Sequence, residues 1–525
     1  MNRLDEWMRC MTLLGVGLVI ASAAAADDAA NDAVDAVDAA ADAPTWSGQV
    51  AAIVHQRCAG CHQPGQSGPF DLLSYDDAVE HGETMVAVID ADYMPPWPPS
   101  TAPPLQHDRR LPEAEADAIR RWVEADMPAG DLDAAPQPPL AVDGWRLGTP
   151  DLVVEMDRAY RVPADGRDIY RWFVLPLDLP EDRYIEAIEF QPTARGAVHH
   201  VLFYYDTTGQ GRRKQARQQR SAQPGFGGMK TSPQAMLGGY VPGAVPQKWP
   251  DGVSVKLPAG SDLILQTHFH PSGRVESERS RVALHFADAP PERPLISVQL
   301  PPLFGQGVGL DIPAGQSEYV LEDSMTLPTP VTAVGVSGHA HYVCTEMAMT
   351  ATLPDGSEQT LLGIDEWDLD WQGDYLFEQP VELPAGTELH VRLVYDNSAA
   401  NPENPFSPPR RIKWGPQSTD EMGSMTLSVL TPDGPSDLKL ASGLKRHLVL
   451  TRLPRGELQR RMAQLPRPSL GERLWFGYLD KDNDGKLQTG EIPAKWHELH
   501  FLLDVDLDGG VSQTELDALR AFTAK

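Results

Sequence analysis

The chain has 525 residues, with 44 Lys or Arg against 74 Asp or Glu and a formal net charge of −30. This length predicts several domains, and the acidic charge argues against a nucleic acid or an anionic membrane as a partner. The four cysteines are too few for a disulfide framework.

The first 26 residues predict a secretory signal peptide. Arg3 and Arg9 precede an apolar run that ends in small residues, and this run is short for a membrane span. An uncleaved N-terminal anchor is the alternative. We therefore expect a periplasmic or secreted protein with no membrane span after signal cleavage. Residues 27–43, rich in Ala and Asp, predict a flexible linker.

A compact helical unit is predicted over residues 44–132. Its segment "CAGCH" is the attachment motif of a c-type haem. Cys58 and Cys61 would form thioethers to the haem, and His62 would ligate its iron. A redox or zinc C-x-x-C site is the alternative. Helix-type apolar spacing, which predicts a final helix, is found at Ala118, Ile119, Trp122 and Val123.

A sixth iron ligand is expected in the same unit, and methionine would raise the haem potential. The segment "DADYMPPWPPS" offers Met94 on a Pro-stiffened loop just before the final helix. This order of parts resembles the small c-type cytochrome domains, which favours Met94 over Met85 and Met127. Packing in a hydrophobic core is the alternative role for any of the three.

Two β-sandwiches are predicted after a Pro-rich linker over residues 133–149. Segments that alternate in hydrophobicity between Pro and Gly turns fill the chain to about residue 440, as is typical of antiparallel sandwiches. The length suits one sandwich over residues 150–290 and a second over 291–440. A linker is then predicted over residues 441–468, before a polar helical tail over 469–525.

Metal-binding side chains occur in four of these β segments. An H-x-H pair on a strand places both imidazoles on one face. Imidazole suits copper and thioether selects Cu(I), so two histidines with a methionine indicate a copper that cycles through the reduced state. The four segments are "AVHHVLFYYD" with His199 and His200, "LILQTHFHPSG" with His268 and His270, "VGVSGHAHYVC" with His339 and His341, and "STDEMGSMTLSV" with Met422.

The order HH, L-Q-x-H, H-x-H and D-E-M resembles the type II copper monooxygenases, the ascorbate-dependent family of peptidylglycine and dopamine hydroxylases. The resemblance covers residues 150–440 and implies two consecutive sandwiches with one copper each. An electron-storing copper is implied on His199, His200 and His268. A second copper, distant from the first and reactive with dioxygen, is implied on His339, His341 and Met422. His270 has no counterpart, so we expect a surface or supporting role for it.

Three positions depart from the family pattern. Gly423 follows the D-E-M segment where the animal enzymes have Cys. Ser337 replaces the Arg that pairs with the substrate carboxylate in peptidylglycine enzymes, and Thr426 replaces their Tyr. A peptide ending in glycine is therefore not supported as the substrate, which we expect to be a small molecule or another peptide.

Two twelve-residue loops in the tail, "DKDNDGKLQTGE" and "DVDLDGGVSQTE", have oxygen ligands at EF-hand spacing. They predict two calcium sites with a structural rather than a sensing role, since extracellular calcium rarely falls enough to empty such a site. The first set of ligands is Asp480, Asp482, Asp484, Lys486, Gln488 and Glu491, and the second is Asp504, Asp506, Asp508, Gly510, Ser512 and Glu515.

Together these features predict a small all-α cytochrome c unit, two consecutive antiparallel β-sandwiches and a C-terminal α-helical EF-hand pair. The resemblance implies hydroxylation of a C–H bond with dioxygen. We expect an ascorbate-like reductant or a redox protein to supply electrons, and the haem to relay them to the three-histidine copper. One alternative is a non-catalytic haem and copper protein for electron transfer or sensing. Another keeps the copper chemistry and gives the haem only a structural or sensing role.

Overall fold

The computed structural model describes most of the chain from residue 43 onward. The predicted signal peptide over residues 1–26 lies outside the described residues, as does nearly all of the linker over 27–43. The described residues are 43–64, 68–138, 144–166, 168–220, 235–242, 246–250, 252–415, 417–452, 476, 478–482, 484–488, 490–492, 500, 504, 510–513 and 515.

Helices are concentrated near the start of the described chain, and most of the chain after them is β-sheet arranged in sandwiches, as predicted. None of the helices in the described residues is both long and apolar enough to cross a membrane.

The N-terminal unit is helical. A π-helical turn at Trp46–Val50 leads into α1, and a 3-10 turn at Leu132–Ala134 closes the unit. Its core packs Trp46, Ile119 and Trp122 together, so the apolar spacing predicted for the final helix is confirmed. The three helices are α1 Ala51–Arg57, α2 Tyr75–Asp90 and α3 Glu113–Glu124.

The first sandwich packs one sheet of β3, β8, β5 and β6 against strands β1, β10, β4 and β7, each in this order. Phe173, Leu265 and Val282 bring side chains from both sheets into one core. Helix α4, Gln210–Arg220, lies between β5 and β6 in the chain. The strands are β1 Leu152–Glu155, β2 Tyr160–Val162, β3 Ile169–Pro176, β4 Arg183–Gln191, β5 Val198–Asp206, β6 Ala235–Tyr240, β7 Val253–Leu257, β8 Asp262–Phe269, β9 Glu276–Glu278 and β10 Arg281–Phe286.

The second sandwich packs a sheet of β13, β18, β15 and β16 against β11, β20, β14 and β17. Met349, Val391 and Leu427 lie in its core, which draws on both sheets. The strands are β11 Arg293–Leu300, β12 Asp311–Ile312, β13 Tyr319–Thr326, β14 Val331–Ala340, β15 Cys344–Thr352, β16 Glu358–Ile364, β17 Asp374–Leu383, β18 Glu388–Tyr395, β19 Ile412–Lys413 and β20 Gly423–Leu430. Short 3-10 turns lie at Pro302–Gly305 and Leu369–Trp371.

The two sandwiches share one sheet. Strand β7 of the first pairs in parallel with β11 of the second, with Arg293 opposite Val253, and this pair completes an eight-stranded sheet. A small apolar cluster of Val253, Val334 and Leu430 covers the junction. The sandwiches are therefore joined by backbone hydrogen bonds as well as by the chain.

The helical unit docks on the second sandwich through the segment between α2 and α3. Thr101 forms a β-bridge with Gly363, and Leu105 forms one with Phe377. The backbone N–H of Ser100 donates to the carbonyl of Gly363 at 2.8 Å. Leu105 is buried in the core of the second sandwich. The helical unit and the second sandwich therefore share apolar contacts and backbone pairing.

The predicted linker over residues 441–468 is wrong in its first part, because Gly434–Arg452 forms helix α5. Leu440 on this helix is fully buried in the core of the second sandwich, and Leu444 packs against that core. His447 Nε2 lies 2.7 Å from Asp323 Oδ2 on β13. Helix α5 therefore covers the sandwich instead of spacing it from the tail.

The described part of the tail contains two short strands, β21 Lys486–Gln488 and β22 Gly510–Ser512. They pair antiparallel with Leu487 opposite Val511. The segments that we expect to form helices on either side of the calcium loops lie mostly outside the described residues.

Candidate functional site

A β-bulge brings the paired histidines of β5 together. His200 lies opposite His268 in the β5 and β8 ladder, and Val198 lies opposite Phe269, so His199 is the extra residue between them. A bulge re-aims a side chain that would otherwise point to the opposite face of the strand. Both neighbouring imidazoles can therefore reach one site.

His199, His200 and His268 form a compact nitrogen cluster. His199 Nδ1 lies 3.1 Å from His200 Nδ1, and His268 Nδ1 lies 3.4 Å from His200 Nδ1. Two nitrogens that each lie about 2.0 to 2.1 Å from one metal ion are separated from each other by distances like these 3.1 and 3.4 Å. Tyr170 stacks on the His268 ring with centroids 4.2 Å apart. The three histidines predicted for the first copper therefore converge through their Nδ1 atoms.

Carboxylates hold the opposite side of two of these rings. His199 Nε2 donates to Asp370 Oδ1 at 2.8 Å, and His268 Nε2 lies 3.1 Å from Asp168 Oδ2. A carboxylate behind a ligating imidazole fixes its tautomer and orientation. Asp370 belongs to the second sandwich, and Asp168 of the first also contacts Ser418 of the second. The cluster therefore depends on both sandwiches.

His270 lies beside this cluster but outside it. Its Nδ1 is 2.9 Å from Asp168 Oδ1, and its side chain is 56% exposed. This position agrees with the surface or supporting role expected from the sequence. Burial opposes the ionisation of Asp168, yet the imidazoles of His268 and His270 hold its pKa well below the ordinary value.

The cluster histidines with shifted pKa values are neutral at neutral pH. Burial lowers the pKa of His268 to about 4, and burial lowers the pKa of His200 well below its ordinary value. Neutral imidazole is the form that binds metals. These two rings therefore need not lose a proton to accept an ion.

His339 and His341 form a second pair at the end of β14, with ring centroids 5.4 Å apart. His339 Nδ1 donates to Gln372 Oε1 at 2.6 Å, and His341 Nδ1 donates to the carbonyl of Asp420 at 3.3 Å. These contacts leave the Nε2 atoms for a metal. Burial lowers the pKa of His339 to about 4 and that of His341 well below its ordinary value.

The β14 and β20 register relates Met422 to this pair. Ala340 lies opposite Gly423, and one further residue along the ladder would set His341 opposite Met422. Glu421 ties the two segments, because its Oε1 accepts hydrogen bonds from the backbone N–H of His341 at 2.6 Å and of Met422 at 2.8 Å. Burial raises the pKa of Glu421 to about 8. The H-x-H and D-E-M segments are therefore cross-strand neighbours.

The two histidine sets lie side by side, which corrects the expectation that the copper sites are distant. The rings of His200 and His339 have centroids only 6.3 Å apart. Asp370 and Ser418 of the second sandwich contact His199 and Asp168 of the first, and these contacts close the gap. The order of the motifs along the chain does not show how closely the two sandwiches pack together.

In the helical unit, His62 is oriented as an iron ligand would be. Its Nδ1 donates to the carbonyl of Phe70 at 3.2 Å, which leaves Nε2 available. Gly68 makes room for this ring, because a Cβ there would lie 2.9 Å from His62 Cγ and 2.8 Å from the carbonyl oxygen of Cys61. Burial raises the pKa of the Cys58 thiol to about 12. The residues of the C-x-x-C-H motif fit a covalently attached haem.

The three methionines of the helical unit have different surroundings. Met85 is buried in the core, and a Cβ at Gly82 would lie 2.6 Å from Met127 Sδ. Met94 is half-buried on the loop that docks against the second sandwich. Core packing accounts for Met85 and Met127, and Met94 stays the predicted sixth ligand.

A cavity of about 460 Å³ connects these parts of the molecule. The helical unit contributes Cys61, and His200 and His339 come from the two histidine sets. Ser337 and Thr426, two of the positions that depart from the family pattern, also line the cavity. One cysteine of the C-x-x-C-H motif and one histidine of each set therefore open onto one space.

The first predicted calcium loop brings acidic side chains together. Asp480, Asp482 and Glu491 have carboxylate oxygens within 4.8 Å of one another. Asp484 and Lys486 are also described, and the Gln488 side chain donates to Asp484 Oδ2 at 2.6 Å. In the second loop, the backbone N–H of Ser512 donates to Glu515 Oε2 at 2.7 Å. Its predicted ligands Asp506 and Asp508 lie outside the described residues.

Sequence reasoning missed the groups that orient the histidines. Asp168, Asp370 and Gln372 carry no motif, and Asp370 contacts a ring 171 residues away in the chain. Glu421 could have been identified from the sequence, because it is the central residue of the D-E-M segment. The motif gave a role only to Met422. Only the packing of the two sandwiches reveals these partners.

No family model and no curated protein matches this chain. Weak structural likenesses exist to a peptide-N(4)-(N-acetyl-β-D-glucosaminyl)asparagine amidase, with 10% identity, 54% of this chain, 97% of that chain and a TM-score of 0.23. PNGase F, a glycosylasparaginase from Flavobacterium meningosepticum, matches with 8% identity, 53% and 97% coverage and a TM-score of 0.22. The VP2 subviral particle of infectious bursal disease virus matches with 6% identity, 55% and 74% coverage and a TM-score of 0.18. Likenesses at these TM-scores carry no argument about this chain.

Proposed function

We propose that this protein is an exported copper-dependent monooxygenase that hydroxylates a C–H bond of a small molecule or peptide with dioxygen. One observation carries the proposal. Two histidine sets on different sandwiches meet with His200 and His339 at a ring separation of 6.3 Å. His200 and His339, one from each set, line one cavity, and polar groups orient the rings of His199, His268, His339 and His341.

The residues present fit two copper ions. His199, His200 and His268 would hold one ion through Nδ1, and their spacing suits a common metal. His339, His341 and Met422 would hold the other ion, with Nε2 as the donor atom of both rings. Copper on imidazole and thioether ligands supplies one-electron redox chemistry toward dioxygen.

Substrate would enter the cavity beside His339. Ser337 and Thr426 are opposite each other on β14 and β20, and both line this space. Phe304 packs edge-on against the His339 ring with centroids 5.0 Å apart. Phe304 would provide an apolar wall, and the two small hydroxyl side chains would help to orient the substrate C–H group. Because both side chains are small, a substrate with a bulky substituent next to that C–H group would still fit.

The reaction takes substrate, dioxygen, two electrons and two protons to an alcohol and water. Cys58 and Cys61 would hold a haem through thioethers, and His62 would ligate its iron through Nε2. A haem held there supplies electrons one at a time, which an ascorbate-like reductant or a redox protein would replenish. Because Cys61 lines the same cavity as His200 and His339, the transfer from the haem to copper would need no second protein.

The tail would be an EF-hand pair with two structural calcium ions. Its short antiparallel strands join the middle of the two loops, with Leu487 opposite Val511. Asp480, Asp482 and Glu491 already group their oxygens within 4.8 Å, and hard oxygen ligands suit calcium. Helix α5 would link this pair to the second sandwich.

The test is metal content followed by anaerobic reduction of the full chain. We expect two coppers per haem, loss of the Cu(II) electron paramagnetic resonance signal after the haem is reduced, and oxygen uptake coupled to an alcohol product. His339→Ala should retain one copper and lose oxygen uptake. His390→Ala, at a half-exposed histidine near Glu322, is the matched control and should change neither.

Reduced copper that consumes no oxygen with any candidate substrate would support the alternative of an electron-transfer or sensor protein. A haem that stays reduced beside oxidised copper would remove the relay and leave the haem a structural role. One copper or none would overturn the proposal.

A further inference from the structure

One wall of the cavity assigned to the substrate comes from the helical unit. The segment between α2 and α3, which docks on the second sandwich, lines this space together with Ser337, His339 and Thr426. The unit that contains the C-x-x-C-H motif is therefore also part of the substrate cavity. Its contributions include Trp97, Gln106, His107 and Arg109.

This wall is held in place by contacts with β17 of the second sandwich. The backbone N–H of Gln106 donates to the carbonyl of Leu376 at 2.8 Å, and the Gln106 side chain donates to the carbonyl of Phe377 at 3.1 Å. Trp97 packs edge-on against Tyr375 with ring centroids 5.5 Å apart. The side chains of this segment therefore reach the cavity from a fixed backbone, as a preorganised binding surface requires.

Arg109 is the cation of this wall, and its charge is uncompensated among the described residues. It forms no ion pair in that part of the chain, and its Nε is shielded from solvent without a hydrogen-bond partner. By contrast, Arg57 and Arg120 of the same unit pair with carboxylates. A buried donor without a partner is costly, so Arg109 is suited to an acceptor that a ligand brings.

Arg109 lies near the part of the second sandwich that leads to His339. Burial raises the pKa of Tyr375, and the nearby guanidinium of Arg109 opposes this rise. Tyr375 on β17 is opposite Val336 on β14, three residues before His339. Three residues of strand span about 10 Å. An anionic group near Arg109 and a C–H group near His339 can therefore belong to the same small molecule.

The rest of the cavity adds to this positive charge. Its two carboxylates among the described residues are already engaged, because Glu189 accepts from the backbone N–H of Arg146 at 2.7 Å and Asp374 accepts from the Ser337 side chain. A local excess of positive charge attracts an anion, although the whole chain has a formal net charge of −30. Three further arginines line the cavity without an ion pair in the described part of the chain: Arg146 before β1, and Arg195 and Arg281 in the first sandwich.

We propose that the helical unit helps to select the substrate and that the substrate is an organic acid, whose carboxylate Arg109 binds together with the arginines of the first sandwich. Guanidinium matches a carboxylate in a planar fork. These cations lie on other elements than the Arg of the peptidylglycine pattern, whose position on β14 is Ser337. The inference rests on the proposed function, because it names the chemical class of substrate for the same cavity.

Calorimetric titration of the full-length holoprotein with hexanoate and with hexanol separates the effect of the carboxylate from that of the apolar chain. We expect the native protein to bind hexanoate more tightly than hexanol, and added salt to weaken the binding of hexanoate alone. Arg109→Gln should raise the Kd of hexanoate about tenfold, equal to about 1.4 kcal/mol, and leave the Kd of hexanol unchanged.

Matched variants control for the charge and for the fold. Arg109→Lys keeps the charge but loses the planar fork, so its Kd for hexanoate should lie between those of the native protein and Arg109→Gln. Arg120→Gln, at an arginine of the same unit that pairs with Asp90, should match the native protein. If Arg109→Gln does not fold, Arg281→Gln applies the same test from the first sandwich, and a higher Kd for hexanoate is again expected.

A Kd for hexanoate that is equal in the native protein and in the glutamine variants would overturn the inference. A native protein that binds hexanoate no more tightly than hexanol would also overturn it. Hexanoate bound directly to copper would give equal values in all variants, and its binding would disappear when copper is removed.

The two proposals fail differently, because hexanoate binding needs neither dioxygen nor turnover. Binding that depends on Arg109, in a protein that forms no alcohol product, supports the acid site and removes the monooxygenase. Formation of an alcohol by a protein whose hexanoate Kd does not depend on Arg109 removes the acid site alone.

Discussion

At the scale of single residues, the candidate metal sites are defined by partners of the imidazoles as much as by the imidazoles themselves. Asp370 and Gln372 lie at the end of one short segment of the second sandwich. Asp370 contacts His199 of the first sandwich, and Gln372 contacts His339 of the second. This segment therefore orients one histidine of each set.

Asp370→Asn tests that orientation. The amide cannot accept the His199 proton with the strength of a carboxylate, so we expect copper affinity at the three-histidine site to fall about 10- to 100-fold. Competition with a copper chelator measures the loss. Asp355→Asn, in an exposed turn beside Ser357, is the control. Equal affinities for both variants would contradict a positioning role.

Gly68→Ala tests the haem motif. The new Cβ would press on the carbonyl of Cys61 and the ring of His62 at 2.8 and 2.9 Å. We expect less covalently bound haem, measured by absorbance after denaturation. We also expect a displaced Soret band, measured by absorbance of the folded protein. Gly60→Ala, in the same motif with open space around it, should keep both. Normal haem content in Gly68→Ala would mean that the segment around residue 68 is free to move.

At the scale of elements, the residues at the start of a helix or strand determine how well that element forms. Helix α2 begins with a capping box in which Ser74 accepts from the backbone of Asp77 and the Asp77 carboxylate accepts from the backbone of Ser74. Strand β20 begins at Gly423, next to Met422. A substitution at the start of each of these two elements tests its contribution to stability and to the site.

Ser74→Ala should destabilise the helical unit by about 1 kcal/mol, as measured by chemical unfolding at the haem absorbance band. Burial opposes the ionisation of Asp77, yet its hydrogen bonds with Ser74 and Leu73 keep its pKa below the ordinary value. The Asp77 contribution is thus complete above its unfolded pKa of about 3.9 and is lost as pH falls through the lowered folded pKa. The free energy of unfolding of Ser74→Ala should fall less than that of the native protein as pH decreases through this range. The same dependence on pH in both proteins would contradict the role given to the Asp77 hydrogen bonds.

Gly423→Ala should disturb the His339 and His341 set. A Cβ at this position would lie 1.9 Å from Tyr395 Oη and 2.9 Å from Leu393 Cδ2. Overpacking of this kind costs about 1 to 3 kcal/mol and would displace the start of β20. We expect a lower melting temperature and loss of the sulfur ligand in copper X-ray absorption. Gly434→Ala, where a Cβ meets open space, is the control, and Tyr395→Phe in the same chain should partly rescue the first variant.

At the scale of the whole molecule, the units are interlocked. The helical unit adds β-bridges to the second sandwich, and the pair of His447 and Asp323 holds helix α5 against that sandwich. Arg446 on α5 lies near Glu515 and Asp504 of the tail, while burial lowers its pKa. The described residues Asp504 and Glu515 of the tail therefore lie near α5.

Calcium removal should act locally. With chelator present, we expect the tail to unfold and to become sensitive to protease, and calcium at about 100 times its Kd should restore about 2.7 kcal/mol. Copper affinity and oxygen uptake should stay constant, since Asp504 and Glu515 of the second loop lie near Arg446 on α5. Glu491→Gln together with Glu515→Gln should reproduce the chelator effect. Loss of copper together with calcium would contradict a purely structural role.

The sequence predicted the sandwiches because alternating strands such as β18 have one face in a core and show it in their pattern. It predicted the histidine sets because four short motifs kept a recognisable order. It could not predict the bulge at His199, the reach of Asp370 across 171 residues or the docking of Leu105 into a distant core. These depend on how finished sandwiches meet, which no local pattern encodes.

The shared eight-stranded sheet has a mechanical consequence. A cleft between two independent bodies can swing open about a loose hinge, but here β7 and β11 are bonded directly across the junction. Any separation of the sandwiches must twist that ladder, and a twisted sheet resists with a restoring torque. Opening of the cavity is therefore a small elastic flexing, with the closed arrangement as its resting position.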